Sequence, residues 1–332
     1  MQQAASATAT LGAPLGSHGG RARTARRSSR LGDQIFEGIV TGAGILVLGL
    51  LGGIIVLLFI GGWPAFREFG LGFLWSTEWD SVREQFGAVI SVYGTIITSI
   101  LAIILAVPVA FGIAYYLTEI APEVIRRPVG IAIELLAAVP SIIYGMWGLF
   151  VLAPFLAEYV QPPIQDATMD IPVLNELFGG PAFGIGIFTA ALILAIMILP
   201  FIAATMRDVF MQVPAIYKES AYGLGATKWE VVRNVVFPYT RASVVGGIML
   251  GLGRALGETM AVTFVIGNAN AISPSLFATG NTIASVIALE FPEALQGSLK
   301  LSSLLALGFI LFVISFIVLA TSRYMLRPRL GK

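Results

Sequence analysis

Cysteine is absent from the 332 residues, which excludes disulfides, thiolate nucleophiles and thiolate-bound metals. Histidine occurs once, as His18, in a low-complexity N-terminal stretch. An imidazole-ligated metal site, and most membrane-enzyme chemistry, therefore lack their parts. No Gly-x-x-x-x-Gly-Lys-Ser/Thr run is present, so the chain has no phosphate loop with which to hydrolyse a nucleotide. Charge is scarce too: 12% of residues are Asp, Glu, Lys or Arg, against about 25% in soluble domains. The net charge of +1 supplies no field that would gather nucleic acid.

What is abundant is apolar surface. Hydrophobic residues make up 57% of the chain and the mean hydropathy is +0.87. Six apolar segments are each about the 20 residues that a bilayer-spanning helix needs. They lie near residues 38–61, 90–118, 130–154, 183–206, 242–267 and 299–322. The expected architecture is an all-α polytopic membrane protein with no internal repeat. Residues 1–34 read as a disordered basic tail with five Arg between Arg21 and Arg30, residues 35–325 as the transmembrane domain, and 326–332 as a second tail. Arg26-Arg27 is read as part of the basic tail and not as an export signal, because the apolar run behind it is too long for one.

Basic residues orient the helices. With the N-terminus inside, sixteen of the twenty Lys and Arg fall on inside segments and three, Arg67, Arg83 and Lys300, outside. Both termini are expected in the cytosol. The first outside loop holds Trp63, Phe66, Phe69, Phe73, Trp75 and Trp79, either an interfacial belt or a docking patch. The second, about 155–182, is irregular and acidic.

Two places carry chemistry. The first is the membrane-embedded charge. Arg254 is thirteen residues beyond Arg241, about 20 Å along a helix, near or somewhat past the midplane. Charges at that depth are costly and point to function. Glu258, four residues on, is expected on the same helical face, with Gly251, Gly253 and Gly257 leaving room around the pair. A guanidinium fork suits a tetrahedral oxyanion. Glu258 either accepts a hydrogen bond from a protonated oxyanion or neutralises Arg254. Thr259 follows directly. Glu134, ahead of Pro140, is the other embedded carboxylate; it reads as a gate, or as the partner of a basic group on a neighbouring helix.

The second place is the loop of about 207–240. Pro214 can open a short helix, and Tyr217–Val232 reads as helical with Gly225 as a break or a close-contact point. Glu219-Ser220-Ala221, three residues, Gly225, nine residues, then Val235-x-Phe237-Pro238 resembles the EAA loop of ABC importer permeases, Glu-Ala-Ala, three residues, Gly, nine residues, Ile-x-Leu-Pro. The spacing agrees throughout; Ser220, Val235 and Phe237 depart conservatively.

Further strings extend the resemblance over about 35–325. They are Trp79-Asp80, Gln85-Phe86-Gly87-Ala88, Tyr93-Gly94-Thr95, Thr118-Glu119-Ile120-Ala121-Pro122, Glu134 to Ser141, and Gly253-Arg254-Ala255-Leu256-Gly257-Glu258-Thr259-Met260-Ala261-Val262. Together they resemble the PstC-type permeases of bacterial phosphate importers. Sulfate and molybdate permeases carry a similar Arg-Ala-Leu-Gly-Glu core.

The resemblance implies a type I ABC importer permease fold in the bacterial inner membrane. It implies a homologous permease partner (PstA), two copies of an ATPase (PstB) and a phosphate-binding protein (PstS). It implies no cofactor in this chain, with ATP and Mg on the ATPase. Arg254, Glu258, Thr259 and Glu134 would line the substrate pathway; Glu219, Ala221, Gly225, Lys228 and Glu230 would meet the ATPase. The alternatives are an importer of sulfate, molybdate or tungstate, or a proton-driven secondary transporter.

Overall fold

A computed structural model describes residues 30–325. The two expected tails lie outside those residues, except that 30–34 already belong to the first helix. The chain divides into residues 1–52 and 53–332. In the first unit the described part is the opening of helix α1 (Arg30–Phe69), with Asp33 in its first turn, where a carboxylate complements the helix dipole. Residues 32–51 are exposed.

From α1 the chain makes a 3-10 turn, Gly70–Leu74, and a two-residue hairpin pairing β1 (Trp79–Asp80) with β2 (Gln85–Phe86). Helix α2 (Val89–Tyr115) ends in a π turn, Tyr116–Ile120. Then follow α3 (Glu123–Ala137), α4 (Ser141–Thr168), α5 (Pro172–Phe178) and α6 (Ile187–Met211). The remainder is α7 (Ala215–Gly223), α8 (Lys228–Leu256), α9 (Met260–Val265), α10 (Ile283–Glu290) and α11 (Leu299–Met325).

Among the described residues six helices are long and apolar enough to cross a membrane. Two differ from their expected positions. The third crossing is Ser141–Thr168, not 130–154. Pro140 has no N–H to continue a helix and sits extended at ψ 135, so α3 stops at Ala137 and a new helix starts after the proline. The fifth crossing is Lys228–Leu256, not 242–267, because the helix breaks at Gly257. Hydropathy does not register either break, since both sides are apolar.

The main core lies where α2 packs on α6. Ala102, Ala106, Ala110 and Ala114 repeat every four residues and are each fully buried. Their small side chains let α6 bring Ile193, Ile198 and Ile202 close, each also fully buried. In a bilayer such fit matters more than hydrophobicity, because lipid is as apolar as leucine.

A second core forms at the other end of the molecule. Phe73, Trp79 and Phe86 are buried there with Ile283, Leu304 and Leu307. Trp79 and Phe86 meet edge to face at 5.0 Å. The Trp79 indole donates to Glu290 Oε1 at 2.8 Å, and Lys300 Nζ lies 3.0 Å from Glu290 Oε2. The aromatic loop is thus mostly core and not a belt; Trp63 and Trp75 alone of its tryptophans stay exposed.

Candidate functional site

The first candidate site is built on the two helix breaks. Helix α8 ends at Leu256; Gly257 caps it at φ −95, ψ 3, and Thr259 at φ −108, ψ −67 opens α9. The helix that starts after the second break, α4, packs on α9, which starts after the first. A Cβ on Gly145 of α4 would stand 2.9 Å from Ala261 Cα and 3.0 Å from a Phe264 ring carbon, so only glycine lets α4 and α9 touch. Interrupted helices are tolerated at membrane depth where the freed backbone is covered by protein or lines a cavity.

The break overturns the expected Arg254–Glu258 pair. A shared face at four residues' spacing requires a continuous helix, and α8 stops two residues after Arg254. Instead Glu258 turns forward: its Oε1 accepts from the Ala261 N–H at 3.3 Å, capping α9. The Thr259 hydroxyl donates to the Gly257 carbonyl at 3.3 Å, and Thr263 donates to the Thr259 carbonyl at 2.7 Å.

Arg254 is left exposed in the last turn of α8. Among the described residues no carboxylate pairs with it. It shares an uncovered face with Ser243, Leu250 and Gly257. Of the other two glycines, Gly251 is buried against Ile202, whereas Gly253 is only partly covered.

Glu134 takes the role of partner to a neighbour. Its Oε1 lies 2.7 Å from Arg207 Nη2 on α6, and Arg207 also reaches Asp208 Oδ1 at 2.8 Å. The Glu134 side chain is 54% exposed, so this pair sits at a rim. No hydrogen bond or ion pair among the described residues joins it to Arg254, Glu258 or Thr259.

The second candidate site is the turn between α7 and α8. Gly225 N–H reaches the Tyr222 carbonyl at 2.9 Å and Ala226 N–H the Ala221 carbonyl at 3.1 Å. This is a Schellman ending, which places its glycine at positive φ, here +86. Thr227 then opens α8 with a reciprocal cap: its N–H donates to Glu230 Oε2 at 2.8 Å, and the Glu230 N–H donates to Thr227 Oγ1 at 3.3 Å. The predicted contact residues separate accordingly. Glu219, Gly225 and Lys228 are exposed, and so is Glu230 with its carboxylate engaged in the cap. Ala221 is half-buried and packs on the main core. Leu224 is 89% exposed at the tip and Ile216 63%, two apolar side chains left largely uncovered among the described residues.

Sequence reasoning missed three tethers. Tyr93 donates to the Ser273 carbonyl at 3.0 Å, Thr95 Oγ1 accepts from Ile283 N–H at 2.9 Å, and Lys218 pairs with Glu119 at 2.6 Å. Tyr93, Thr95 and Glu119 stood in recognised strings, but Ser273, Ile283 and Lys218 did not, and separations of 99 to 188 positions hid the pairings.

Residues 106–332 match the family described as binding-protein-dependent transport system inner membrane component. The phosphate transport system permease protein PstC of Mesorhizobium japonicum is 60% identical over 92% of this chain and 93% of its own length. Its counterpart from Pasteurella multocida is 56% identical over 92% and 95%, and PstC 1 of Mycobacterium tuberculosis 39% over 79% and 83%. Among solved structures, a chain of the bacterial alginate ABC transporter in complex with alginate pentasaccharide-bound periplasmic protein aligns over 87% of this chain and 96% of that one, with TM-score 0.55 and 18% identity. A chain of the inward-facing methionine transporter MetNI aligns over 72% and 94%, with TM-score 0.52 and 14% identity. These two establish the fold, that of a type I ABC importer permease. The sequence matches do more: this chain belongs to the PstC-type permeases of the binding-protein-dependent transport inner-membrane component family.

Proposed function

We propose that the chain is the pathway-forming permease of an ATP-driven inorganic phosphate importer, seated in the bacterial inner membrane with both termini cytosolic. What carries this reading is the 60% identity, over nearly the whole length, to a permease whose name states phosphate transport. A homologous permease of the PstA type would complete the pathway against the α8 face that bears Arg254. A charge on a membrane helix demands a polar neighbour or a wet cavity, and among the described residues no carboxylate pairs with Arg254. The guanidinium would meet the anion delivered by a PstS-type binding protein. Glu258 would act by holding the start of α9, and Thr259 by shaping the break. Glu134 would hold α3 to α6 at the rim of the pathway.

The α7–α8 turn would dock one of two PstB-type ATPases, which carry the ATP and Mg. Its exposed Leu224 and Ile216 fit a partner's groove. Gly225→Arg places a large cation at the tip and a side chain at positive φ, a strain of about 1–2 kcal/mol. The expected outcome is loss of ATPase co-purification with the permease and loss of uptake. Unchanged ATPase capture with normal uptake would remove the turn from docking.

The substrate is tested by uptake of radiolabelled phosphate at micromolar concentration in cells lacking this chain, with the chain restored. Restoration that arsenate blocks, that sulfate and molybdate do not, and that ATP depletion abolishes, is the expected result. Recovery of sulfate or molybdate transport in place of phosphate would keep the architecture and overturn the cargo.

A further inference from the structure

Glu119 lies in the π turn that closes α2, two residues before Ala121 at ψ 133 and Pro122 turn the chain into α3. Its side chain is only 7% exposed. Both carboxylate oxygens are engaged by the same short helix. Lys218 Nζ of α7 lies 2.6 Å from Oε1, and the Tyr222 hydroxyl, one turn further along α7, donates to Oε2 at 3.4 Å. Burial, and then the Glu119 charge, raise the Tyr222 phenol above its ordinary value, so it remains a donor. The other side of the elbow is held by α3, where Arg126 Nη2 donates to the carbonyls of Thr118 at 3.3 Å and Ala121 at 3.2 Å.

Among the described residues, every side-chain hydrogen bond that leaves α7 ends on Glu119. Lys218 is also the immediate neighbour of Glu219, which faces solvent. One face of α7 is therefore open to a partner, and the other is fastened to a single carboxylate at the α2–α3 elbow.

We propose that Glu119 is a positioning residue that carries displacement of α7 into the α2–α3 elbow, so that ATPase movement reaches the membrane helices through the Glu119–Lys218 pair. The inference rests on the reading of α7 as the ATPase dock. Separating the pair would leave Lys218 unpaired and the poorly solvated Glu119 with only the Tyr222 hydroxyl, which is strongly unfavourable. The link therefore behaves as a tie and not as a loose contact. The apolar packing of Ala221 allows sliding; a charge-assisted bond with a fixed partner does not.

The test uses the complete transporter in proteoliposomes, with its ATPases, partner permease and binding protein. Phosphate taken up per ATP hydrolysed is measured, together with the amount of ATPase retained on the permease. Glu119→Gln and Lys218→Met are each expected to lower uptake per ATP about tenfold, within the roughly 5–150-fold range of coupling between sites, with ATPase retention unchanged. The exchanged pair, Glu119→Lys with Lys218→Glu, is expected to recover most of the lost ratio, and the double neutral variant to be no worse than either single one. Single variants with an unaltered ratio, an exchanged pair no better than the singles, or ATPase loss in step with uptake would each overturn the role. Failure of the unsubstituted transporter to carry phosphate would instead strike the cargo, which separates the two readings.

Discussion

Replacement of Arg254 by alanine is expected to reduce phosphate uptake by at least about 100-fold, the scale of losing one preorganised electrostatic contact to an oxyanion in a water-poor site. Membrane insertion, ATPase retention and thermal stability should stay near those of the unsubstituted protein. Arg254 makes no hydrogen bond or ion pair among the described residues and is exposed at the end of α8, so its removal breaks no internal contact. Arg254→Lys keeps the charge but not the planar fork, and an intermediate loss is expected. Initial rates of radiolabelled uptake, normalised to assembled complex, decide the matter. Near-normal rates in Arg254→Ala would take the residue out of the pathway. A loss matched by disappearance of the complex would assign it to assembly.

The second large effect falls far from any charge. Gly94 of α2 faces the loop before α10, and a Cβ there would overlap the carbonyl oxygen of Asn281. Its neighbours are tethered to the same region, Tyr93 to the Ser273 carbonyl and Thr95 to the Ile283 N–H. Gly94→Val would force α2 away from both tethers. Overpacking alone costs typically about 1–3 kcal/mol, and two displaced hydrogen bonds add about 1 kcal/mol each. The variant is expected to be poorly assembled, with its thermal unfolding midpoint in detergent clearly lowered. An unchanged midpoint would show that the loop moves aside freely, and that the close approach of α2 is not structural.

Much of the fold could be read before any coordinates. The apolar runs found six crossings because hydrocarbon thickness imposes length; Gly225 reads as a break or close-contact point, and it stands at positive φ in the exposed turn. The errors share one cause. Hydropathy averages over a window and cannot register a change of backbone direction between apolar neighbours. It therefore ran straight through Pro140 and Gly257. Once Gly257 ends α8, counting four residues from Arg254 no longer tells where Glu258 points; it caps α9 instead. Glu134 fared better, because a carboxylate inside the rim needs a cation and Arg207 answers it. The Glu119–Lys218 pair was invisible because nothing local marks two residues as partners across four intervening helices.

The clasp between the hairpin and the end of the chain bears on how the protein is made. The Trp79 indole finds Glu290 at a distance of 211 residues. A ribosome adding about 5–20 residues each second needs roughly 10–40 s to cover that interval. Throughout that time the newly emerged Phe73, Trp79 and Phe86 have none of the partners supplied by Ile283, Leu304 and Leu307. The nascent hairpin must therefore be sheltered by lipid or by the insertion machinery until the last crossing arrives. Truncation before residue 283 should leave it sticky, while the α2–α6 alanine seam, whose pieces are all made by residue 211, can close during synthesis.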